Sequence, residues 1–418
     1  MGSSTRSWLP EPGSRRGLYG LLGASAISLS GTRLSMIALP WFVITTTGSA
    51  AQTGLVAGAQ MAPYVVAKAL AGPLVDRLGS RRVIVIAELV AAAVVAAIPL
   101  LYALDLLHLG VLLFMVALLG AASGPADGAK AALIPVVADR AKVPLERVTG
   151  LFGSIDRFAT TIGSAAAGGL VALVGPIPAL SLTAATFGGA ALLIAATAPR
   201  PAPRAREPYL AQLRDAIAFI GRDRLLRSLF AMVTMTNLLD AAAFSVLLPV
   251  WAHHGGHGPE AIGLLAAVMS GAAIGSSALA AAFGHRMPRR LTYFIGFMIA
   301  GLPRFAILAL DVPLPYVAVV FAISGLGSGF LNPILGAVIF ERIPPDMVGR
   351  VSSMGSSLAW AGIPFGSLLG GALVATVGLA PALMICGVAY FAVTLLPSVQ
   401  PAWRDMERRG EAPRAGPK

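Results

Sequence analysis

Nine ionisable residues lie inside apolar stretches long enough to cross a lipid bilayer, and they are the residues best placed to do chemistry. They are Arg33, Lys68, Glu88, Asp127, Lys130, Asp156, Arg157, Asp240 and Arg304. Leaving all of them unpaired near the bilayer centre costs on the order of 20–30 kcal/mol, at about 2.5–3.5 kcal/mol each. We therefore expect them to pair or to face water, and a carboxylate that changes partners can take up and release a proton.

Helical spacing assigns some of these charges to structural pairs. At a rise of about 1.5 Å per residue, Lys68 and Glu88 lie at similar heights on consecutive antiparallel helices, so we expect them to pair. Asp127 and Lys130 are three residues apart and share one helix face. Because Asp156 lies at a depth comparable with that of Lys130, we expect a cluster between the fourth and fifth helices, with a structural role favoured over a functional one.

The elements that hold these charges are membrane helices. Hydrophobic residues make up 56% of the chain and charged residues 12%, and the mean hydropathy is +0.79, which is too apolar for an ordinary water-soluble protein. The net charge of +12 is spread over loops, where it sets topology and meets anionic headgroups. We therefore expect membrane lipid, and no nucleic acid, as a partner. A single cysteine, Cys386, excludes a disulfide framework.

Twelve apolar segments of about 20 residues, the length that crosses the hydrocarbon, follow one another along the chain. We number them spans 1 to 12, at residues 18–44, 54–73, 83–104, 109–136, 148–174, 178–198, 228–252, 261–284, 291–310, 315–339, 351–377 and 381–396. No segment shows the sustained period-two alternation of a membrane strand. The sequence therefore predicts an all-α integral membrane protein with twelve transmembrane helices.

The loops between the spans alternate between basic and non-basic. The even-numbered loops and both tails carry 26 of the 31 Lys and Arg residues, and the odd-numbered loops carry none. We call the two sides of the protein the basic face and the non-basic face. By the positive-inside rule the basic face and both termini are cytoplasmic, and an even number of spans agrees. We expect a multi-pass protein of the cell (cytoplasmic or inner) membrane.

The longest internal polar stretch divides the spans into six and six. We predict a cytoplasmic tail at 1–17, a six-helix half at 18–198, a cytoplasmic linker at 199–227, a second six-helix half at 228–397 and a cytoplasmic tail at 398–418. Within the linker, segment 209–223 has apolar residues at helical spacing, which suits a helix along the inner membrane surface. Spans 2 and 8 both end in basic turns, and this suggests that the halves are parallel repeats.

A specific motif follows span 2, where residues 72–82 read GPLVDRLGSRR. It resembles the loop between helices two and three of the major facilitator superfamily, G-x-L-x-D-R-x-G-R-[RK]-[RK]. The matching residues are Gly72, Leu74, Asp76, Arg77, Gly79, Arg81 and Arg82, and Ser80 stands where a basic residue is usual. Stretches 38–50, 145–150 and 331–351 resemble the drug and siderophore efflux branch, which includes macrolide exporters, Tap-like mycobacterial pumps and enterobactin exporters.

The resemblance implies that this motif is a gate. In the family the acidic residue, Asp76 here, accepts hydrogen bonds at the start of helix eleven, which maps near Ser352 and Ser353. A helix start favours negative charge, so the contact would hold the cytoplasmic side shut. Gly72 and Gly79 would permit the tight turn and close approach.

The resemblance also places Arg33 and Asp240 on helices that face each other across a central cavity. Because both lie near mid-membrane, we expect a charge pair between the halves that forms and breaks as the halves move. Asp240 is then the first acid to consider for proton coupling. The competing acids are Asp127, Asp156 and Glu88. The basic residue Lys130 is a further member of the candidate charge-pair and coupling residues. The sequence identifies no partner for Arg304.

The function expected from these features is secondary active export of an amphipathic small molecule by alternating access, and the family resemblance implies coupling to protons by antiport. Nothing in the sequence resembles an ATP-binding loop or an enzyme site, and we expect no cofactor, no metal and a monomer. The expected cavity residues are Met36, Trp41, Asn237, Phe244, Asn332 and Trp360. The alternatives are export of an endogenous metabolite, siderophore or lysophospholipid, and a receptor or scaffold that does not transport.

Overall fold

A computed structural model describes residues 15–199, 209–283, 286–344, 347–395, 397 and 400–407, and every regular element in these ranges is a helix. Ten helices are long and apolar enough to cross a membrane, and a bent pair, Ala50–Ala69 with Ala71–Leu78, makes an eleventh. The last apolar helix, Leu379–Leu395, is shorter and coincides with predicted span 12. The all-helical membrane fold is therefore as predicted.

Each predicted span corresponds to one helix or to a broken helix. In the first half, spans 1 to 6 are Arg16–Thr47, Ala50–Ala69, Ser80–Ala103, Leu109–Ala141, Leu145–Phe158 continued by Ser164–Val174, and Pro176–Thr197. In the second half, spans 7 to 12 are Arg224–Ala242 continued by Leu248–His254, Pro259–Phe283, Arg289–Ala300 with Leu302–Leu308, Leu314–Ser328 with Leu331–Arg342, Val348–Trp360 with Ile363–Val377, and Leu379–Leu395. Helices Tyr209–Arg222 and Pro401–Glu407 lie outside the spans.

The helix ends follow from local sequence. Gly48 ends span 1 in a left-handed conformation, with φ 63°. The Ser49 hydroxyl then accepts a hydrogen bond from the Gln52 backbone N–H at 3.2 Å and starts span 2. Asp223 starts span 7 in the same way, because its carboxylate accepts from the backbone N–H groups of Leu225 and Leu226.

Two spans contain a π-helical turn directly after a charged site. In span 5 this turn is Ala159–Gly163, just beyond Asp156, and in span 7 it is Ala243–Leu247, just beyond Asp240. A π turn inserts an extra residue and rotates the helix that follows, and such turns concentrate at functional sites. The apolar sequence gave no sign of either turn.

The linker helix packs on the protein. Ala216 and Ile220 are buried in the main apolar core, and helix Tyr209–Arg222 contacts spans 7 and 11. The apolar residues of this helix thus cover part of the second half at the basic face, and its placement along the inner membrane surface stays a prediction. Residues 200–208 of the predicted linker, the first 14 residues of the N-terminal tail and most of the C-terminal tail lie outside the described residues.

The two halves meet along two seams, spans 2 and 11 and spans 5 and 8. On the second seam, a Cβ placed on Gly168 would lie 2.7 Å from the Pro259 carbonyl oxygen and 2.9 Å from the Gly263 Cα. On the first seam, Gly54 and Gly371 approach equally closely. Small residues allow helix backbones to touch in this way. All these glycines lie toward the non-basic ends of their spans, so the halves are sealed at the non-basic face.

Candidate functional site

A buried charge cluster joins spans 1, 3 and 4. The Lys130 Nζ lies 2.6 Å from Glu88 Oε1 and 3.8 Å from Asp127 Oδ1. The Ser28 hydroxyl donates to Glu88 at 2.8 Å and accepts from Lys130 at 2.9 Å. Glu88 is only 2% exposed. We call these four residues the Lys130 cluster, and its close, hydrogen-bonded geometry offsets the cost of burying Glu88 and Lys130.

Part of the predicted pairing is confirmed and part is wrong. Asp127 and Lys130 do meet across one helix turn, as their spacing predicts. The predicted Lys68–Glu88 pair does not form, because Glu88 faces Lys130. The predicted cluster between spans 4 and 5 is also wrong, since Lys130 finds its partners on spans 1, 3 and 4, and Asp156 binds elsewhere. Equal depth does not tell which way two helices turn their side chains.

An aromatic bridge extends from Asp127 to the other half. The Tyr64 hydroxyl donates to Asp127 Oδ2 at 2.7 Å and accepts from Lys68 Nζ at 3.1 Å. The Lys68 ammonium lies 4.0 Å from the ring centroid of Trp360 on span 11. The Tyr64 and Trp360 rings stack at 5.8 Å with an interplanar angle of 26°. We call Tyr64, Lys68 and Trp360 the Lys68 bridge, and it connects the Lys130 cluster to the second half by a cation–π contact.

A second charge pair joins spans 1 and 5. Arg33 Nη2 lies 3.4 Å from Asp156 Oδ1, and the Asp156 side chain is 58% exposed. The Met36 sulfur lies 3.8 Å from Arg33 Nη1, and its side chain is also exposed. The neighbouring Arg157 is exposed and donates to the Ser277 hydroxyl of span 8 at 3.5 Å. The sequence did not signal Ser277.

A third pair lies wholly inside the second half, where Arg304 binds Asp240. Arg304 is 2% exposed, and the rings of Phe244, Phe305 and Tyr390 surround its guanidinium at 5.1–5.4 Å. Span 9 breaks at Gly301, and the Tyr390 ring occupies the place where a Cβ on Gly301 would lie.

The predicted pair of Arg33 with Asp240 is therefore wrong, and Arg304 has the partner that the sequence did not identify. Each of the two residues finds an oppositely charged partner within its own half. A pair inside one half need not break when the halves move relative to each other, so the reason for placing proton coupling at Asp240 is lost.

The motif after span 2 forms a sharp corner. Helix Ala71–Leu78 bends by 57° from span 2, and Gly79 has φ 81°, a conformation that favours glycine. The bend falls at Leu70, and Gly72 lies inside the short helix. Arg81 donates to the Ala195 carbonyl at the end of span 6. These contacts fix the corner at the basic face.

The other charged residues of the motif differ in their burial. Arg77 and Arg82 are exposed, and Asp76 is half-buried. Span 11 starts at Val348, so Ser352 lies one turn inside the helix and its N–H is not at the free end. The side chain of Ser353 lies outside the described residues. Contact between Asp76 and the start of span 11 stays a prediction.

The six expected cavity residues fall into two groups. Met36, Asn332 and Trp360 are exposed, and Met36 and Trp360 contact the charged sites already described. The others serve packing. Trp41 lies near the non-basic face with its ring against His253, Asn237 donates to the Ala359 carbonyl at 2.9 Å, and Phe244 covers Arg304.

Two residues of the site, Tyr64 and Ser28, were not expected from the sequence. Tyr64 precedes Lys68 by four residues and so shares its helix face, a spacing that could have marked it. Ser28 is one of several serines in span 1, and nothing in the sequence marks it as part of the site. Three of these carboxylates are partly exposed: the side chain of Asp127 is 40% exposed, that of Asp156 58% and that of Asp240 35%. Glu88, by contrast, is buried.

Comparison with known proteins accords with this architecture. The sequence matches the profile of the Major Facilitator Superfamily over residues 21–239 and 230–414. It is 33% identical over 403 residues to the multidrug efflux pump Tap of Mycobacterium tuberculosis, covering 94% of this chain and 95% of that protein. It is 30% identical to the multidrug efflux pump Tap of Mycolicibacterium fortuitum, covering 86% of this chain and 89% of that protein.

Among solved structures, the nucleoside transporter NupG superposes with a TM-score of 0.72 at 16% identity, covering 94% of this chain and 99% of NupG. This likeness concerns the fold alone. The sequence matches extend over both halves and almost the whole chain. The chain therefore belongs to the Major Facilitator Superfamily, and it is a membrane transporter and not an enzyme.

Proposed function

We propose that this protein exports amphipathic small molecules across the cytoplasmic membrane by alternating access, in exchange for protons. The observation that carries the proposal is a charged, partly exposed site between two halves that are sealed at the non-basic face. The multidrug efflux pumps that resemble the chain support export of drug-like compounds. With the basic face in the cytoplasm, a protein sealed at the non-basic face would load its substrate from the cytoplasm, as an exporter does.

Proton coupling is proposed at Asp127. Its carboxylate is partly exposed, lies 3.8 Å from Lys130 and accepts the Tyr64 hydroxyl at 2.7 Å. Through Tyr64 it connects to Trp360 in the other half, so its surroundings change when the halves move. An acid couples a proton to a conformational change only if its surroundings differ between the two states. The ion-pair partner of Asp240, Arg304, lies in the same half, so this pair does not link the halves.

The corner after span 2 is proposed to close the basic face in the opposite state. Asp76 lies on this corner, whose shape is fixed by Gly79 and by the bond from Arg81 to the carbonyl of span 6. A half-buried carboxylate there is suited to accept hydrogen bonds from the start of a helix in the second half. Arg77 and Arg82 would meet the anionic headgroups of the inner leaflet.

The test of export uses cells loaded with ethidium or Hoechst 33342 and washed into dye-free medium with glucose. We expect faster loss of dye from cells that express the protein, and an uncoupler should abolish the difference. A non-transporting receptor predicts equal loss with and without the protein. Equal loss for every dye in a panel of cationic, neutral and acidic compounds would contradict export.

The proposed topology predicts a clean division of labelling sites. In a Cys386→Ala background, single cysteines at Asp105 and Asp311, both exposed in loops of the non-basic face, should react with an impermeant maleimide in intact cells. A cysteine at the exposed Lys142 should react only after the cells are opened, because its loop is cytoplasmic. Labelling of the Lys142 site in intact cells would overturn the orientation.

We expect closure of the non-basic face to depend on Gly168, and the adjacent Gly169 provides the matched control. Gly168→Val places a side chain against the Pro259 carbonyl and Gly263. A Cβ at Gly169, by contrast, has no neighbouring atom within 4 Å, so Gly169→Val is accommodated. We expect Gly168→Val to lower dye efflux at least about tenfold, since a backbone contact cannot yield to a methyl group without shifting the helices. Gly169→Val should retain most efflux at equal expression. Similar efflux by both variants would show that this seam does not have to close.

A further inference from the structure

We propose that a groove on the second half binds one anionic phospholipid from the leaflet at the basic face. The groove lies between the basic ends of spans 9 and 12 and helix Pro401–Glu407, which we call the C-terminal helix. Its volume is about 450 Å³, the size of a pocket for a small ligand. Spans 9 and 12 belong to neither seam between the halves, so this site is separate from the central charged site.

Two arginines line the polar end of the groove. Arg290 lies in the first turn of span 9 and Arg404 on the C-terminal helix, so distant parts of the chain bring two guanidinium groups to one cavity. Arg404 is exposed and forms no ion pair within the described residues. A guanidinium presents N–H donors in one plane and binds phosphate oxygens in pairs. This end of the groove therefore suits a phosphate group.

The acidic groups around this end already have partners in the protein. The Glu407 carboxylate lines the groove and accepts from the backbone N–H groups of Arg289 and Arg290, at 3.3 and 2.9 Å. These N–H groups start span 9, and a helix start favours negative charge. Glu341 binds the Arg289 side chain through two hydrogen bonds of 2.6 and 2.7 Å. The groove thus has two cations against one anion that is held by a helix start, and its polar end is positive.

The rest of the groove is apolar. Leu291, Ile295 and Met298 of span 9 line it and share one helix face, and Leu395 lines it from span 12. Leu291, Ile295 and Leu395 are 58%, 46% and 42% exposed. At about 1.5 Å per residue, Met298 lies about 12 Å deeper in the membrane than Arg290. The groove therefore runs from headgroup level into the hydrocarbon region.

This combination identifies the class of ligand. Basic pockets between membrane helices on the cytoplasmic side bind the headgroups of anionic lipids. A free phosphate ion would use only the arginines, and a neutral lipid would leave their charge without a counterion. A phospholipid with a net negative charge uses both ends, with its phosphate at Arg290 and Arg404 and an acyl chain along span 9.

The bound lipid would fasten the C-terminal helix to the second half. That helix is docked through Trp403, which is fully buried and whose indole N–H donates to the Ser228 hydroxyl of span 7 at 2.9 Å. A phosphate that binds Arg290 and Arg404 together joins span 9 to the same helix. A ligand that binds only the folded protein stabilises it, so we expect the lipid to raise the melting temperature.

The experiment measures the melting temperature of the purified full-length protein in a neutral detergent, with phosphatidylglycerol, phosphatidylcholine or inorganic phosphate added. We expect phosphatidylglycerol to raise it by at least about 2 °C, and native mass spectrometry should show one retained phosphatidylglycerol molecule. Phosphatidylcholine has the chains without the net charge, and inorganic phosphate has the charge without the chains, so neither should raise it. An equal rise with either of them would overturn the proposal.

Substitutions at each end of the groove locate the site. Arg290→Gln/Arg404→Gln should weaken phosphatidylglycerol binding at least about tenfold, because each arginine near the membrane surface contributes about 1 kcal/mol. Ile295→Trp keeps both arginines and fills the apolar part, so it should also lose the rise in melting temperature. The matched control, Lys142→Gln/Arg147→Gln, removes the same charge from exposed positions between spans 4 and 5 and should keep the rise.

Two outcomes with these variants would overturn the site. A rise that survives both the double arginine variant and Ile295→Trp would show that the lipid binds elsewhere. A rise that is lost in the control as well would show that the lipid responds to total charge and not to the groove. None of these measurements involves transport, so the lipid site and the export proposal can fail separately.

Discussion

Asp127→Asn should abolish efflux against a concentration gradient while sparing exchange of substrate down its gradient. The amide keeps the shape of the side chain and can still accept from Tyr64, but it cannot take up a proton. We expect at least about a hundredfold loss of gradient-driven efflux, because the proton gradient cannot drive transport when the group that binds the proton is absent. Dye counterflow in proteoliposomes, which needs alternating access and no proton gradient, should fall less than about threefold.

The comparison variants are Asp156→Asn and Glu88→Gln. Asp156 is the more exposed acid, but Arg33 holds it within one half, so its neutral variant should alter the apparent substrate affinity more than the coupling. Glu88→Gln removes the buried partner of Lys130 and should lower the amount of folded protein. If Asp127→Asn pumps against a gradient and Asp156→Asn does not, the coupling acid is Asp156.

Asp240→Leu should destabilise the protein more than any other single change at the charged sites. It leaves Arg304, which is 2% exposed and enclosed by aromatic rings, without its anion. Removing one member of a buried ion pair lowers the free energy of unfolding by about 3–5 kcal/mol. We expect a melting temperature lower by several degrees and aggregation on size-exclusion chromatography in detergent.

The double variant Asp240→Leu/Arg304→Met should recover the lost stability, because replacing both members of a buried pair by apolar residues is often neutral or favourable. Since the pair lies inside one half, the double variant should also retain gradient-driven efflux. A double variant that is stable yet unable to pump would return Asp240 to the coupling mechanism. A single variant as stable as the unaltered protein would show that the pair contributes nothing to folding.

The features that depend on position along the chain were predictable. Span lengths and the corner after span 2 follow from hydropathy and from glycine, and the structure has the helices where the apolar runs predict them. The meeting of Asp127 with Lys130 also follows, because a spacing of three residues fixes both height and direction on one helix.

The features that depend on rotation about a helix axis were not predictable. The depth of a residue can be read from the sequence, but the direction in which its helix turns it cannot, so Arg33 and Asp240 were matched by height and found different partners. The π turn directly after Asp240 rotates the rest of span 7, and nothing in its apolar sequence marks it. Asn237 and Phe244 were expected in the cavity because the sequence does not show that their side chains turn toward the Ala359 carbonyl and toward Arg304.

The most direct test of proton-coupled export is a measurement of proton movement in proteoliposomes without a pre-formed gradient. A pH-sensitive dye is enclosed in vesicles that contain the purified protein, and a substrate identified in the efflux screen is added outside. Antiport predicts that inward movement of substrate drives protons out, so the lumen becomes alkaline, and that Asp127→Asn vesicles show no change. Substrate uptake at the normal rate with no proton movement, or proton movement that survives Asp127→Asn, would contradict the account.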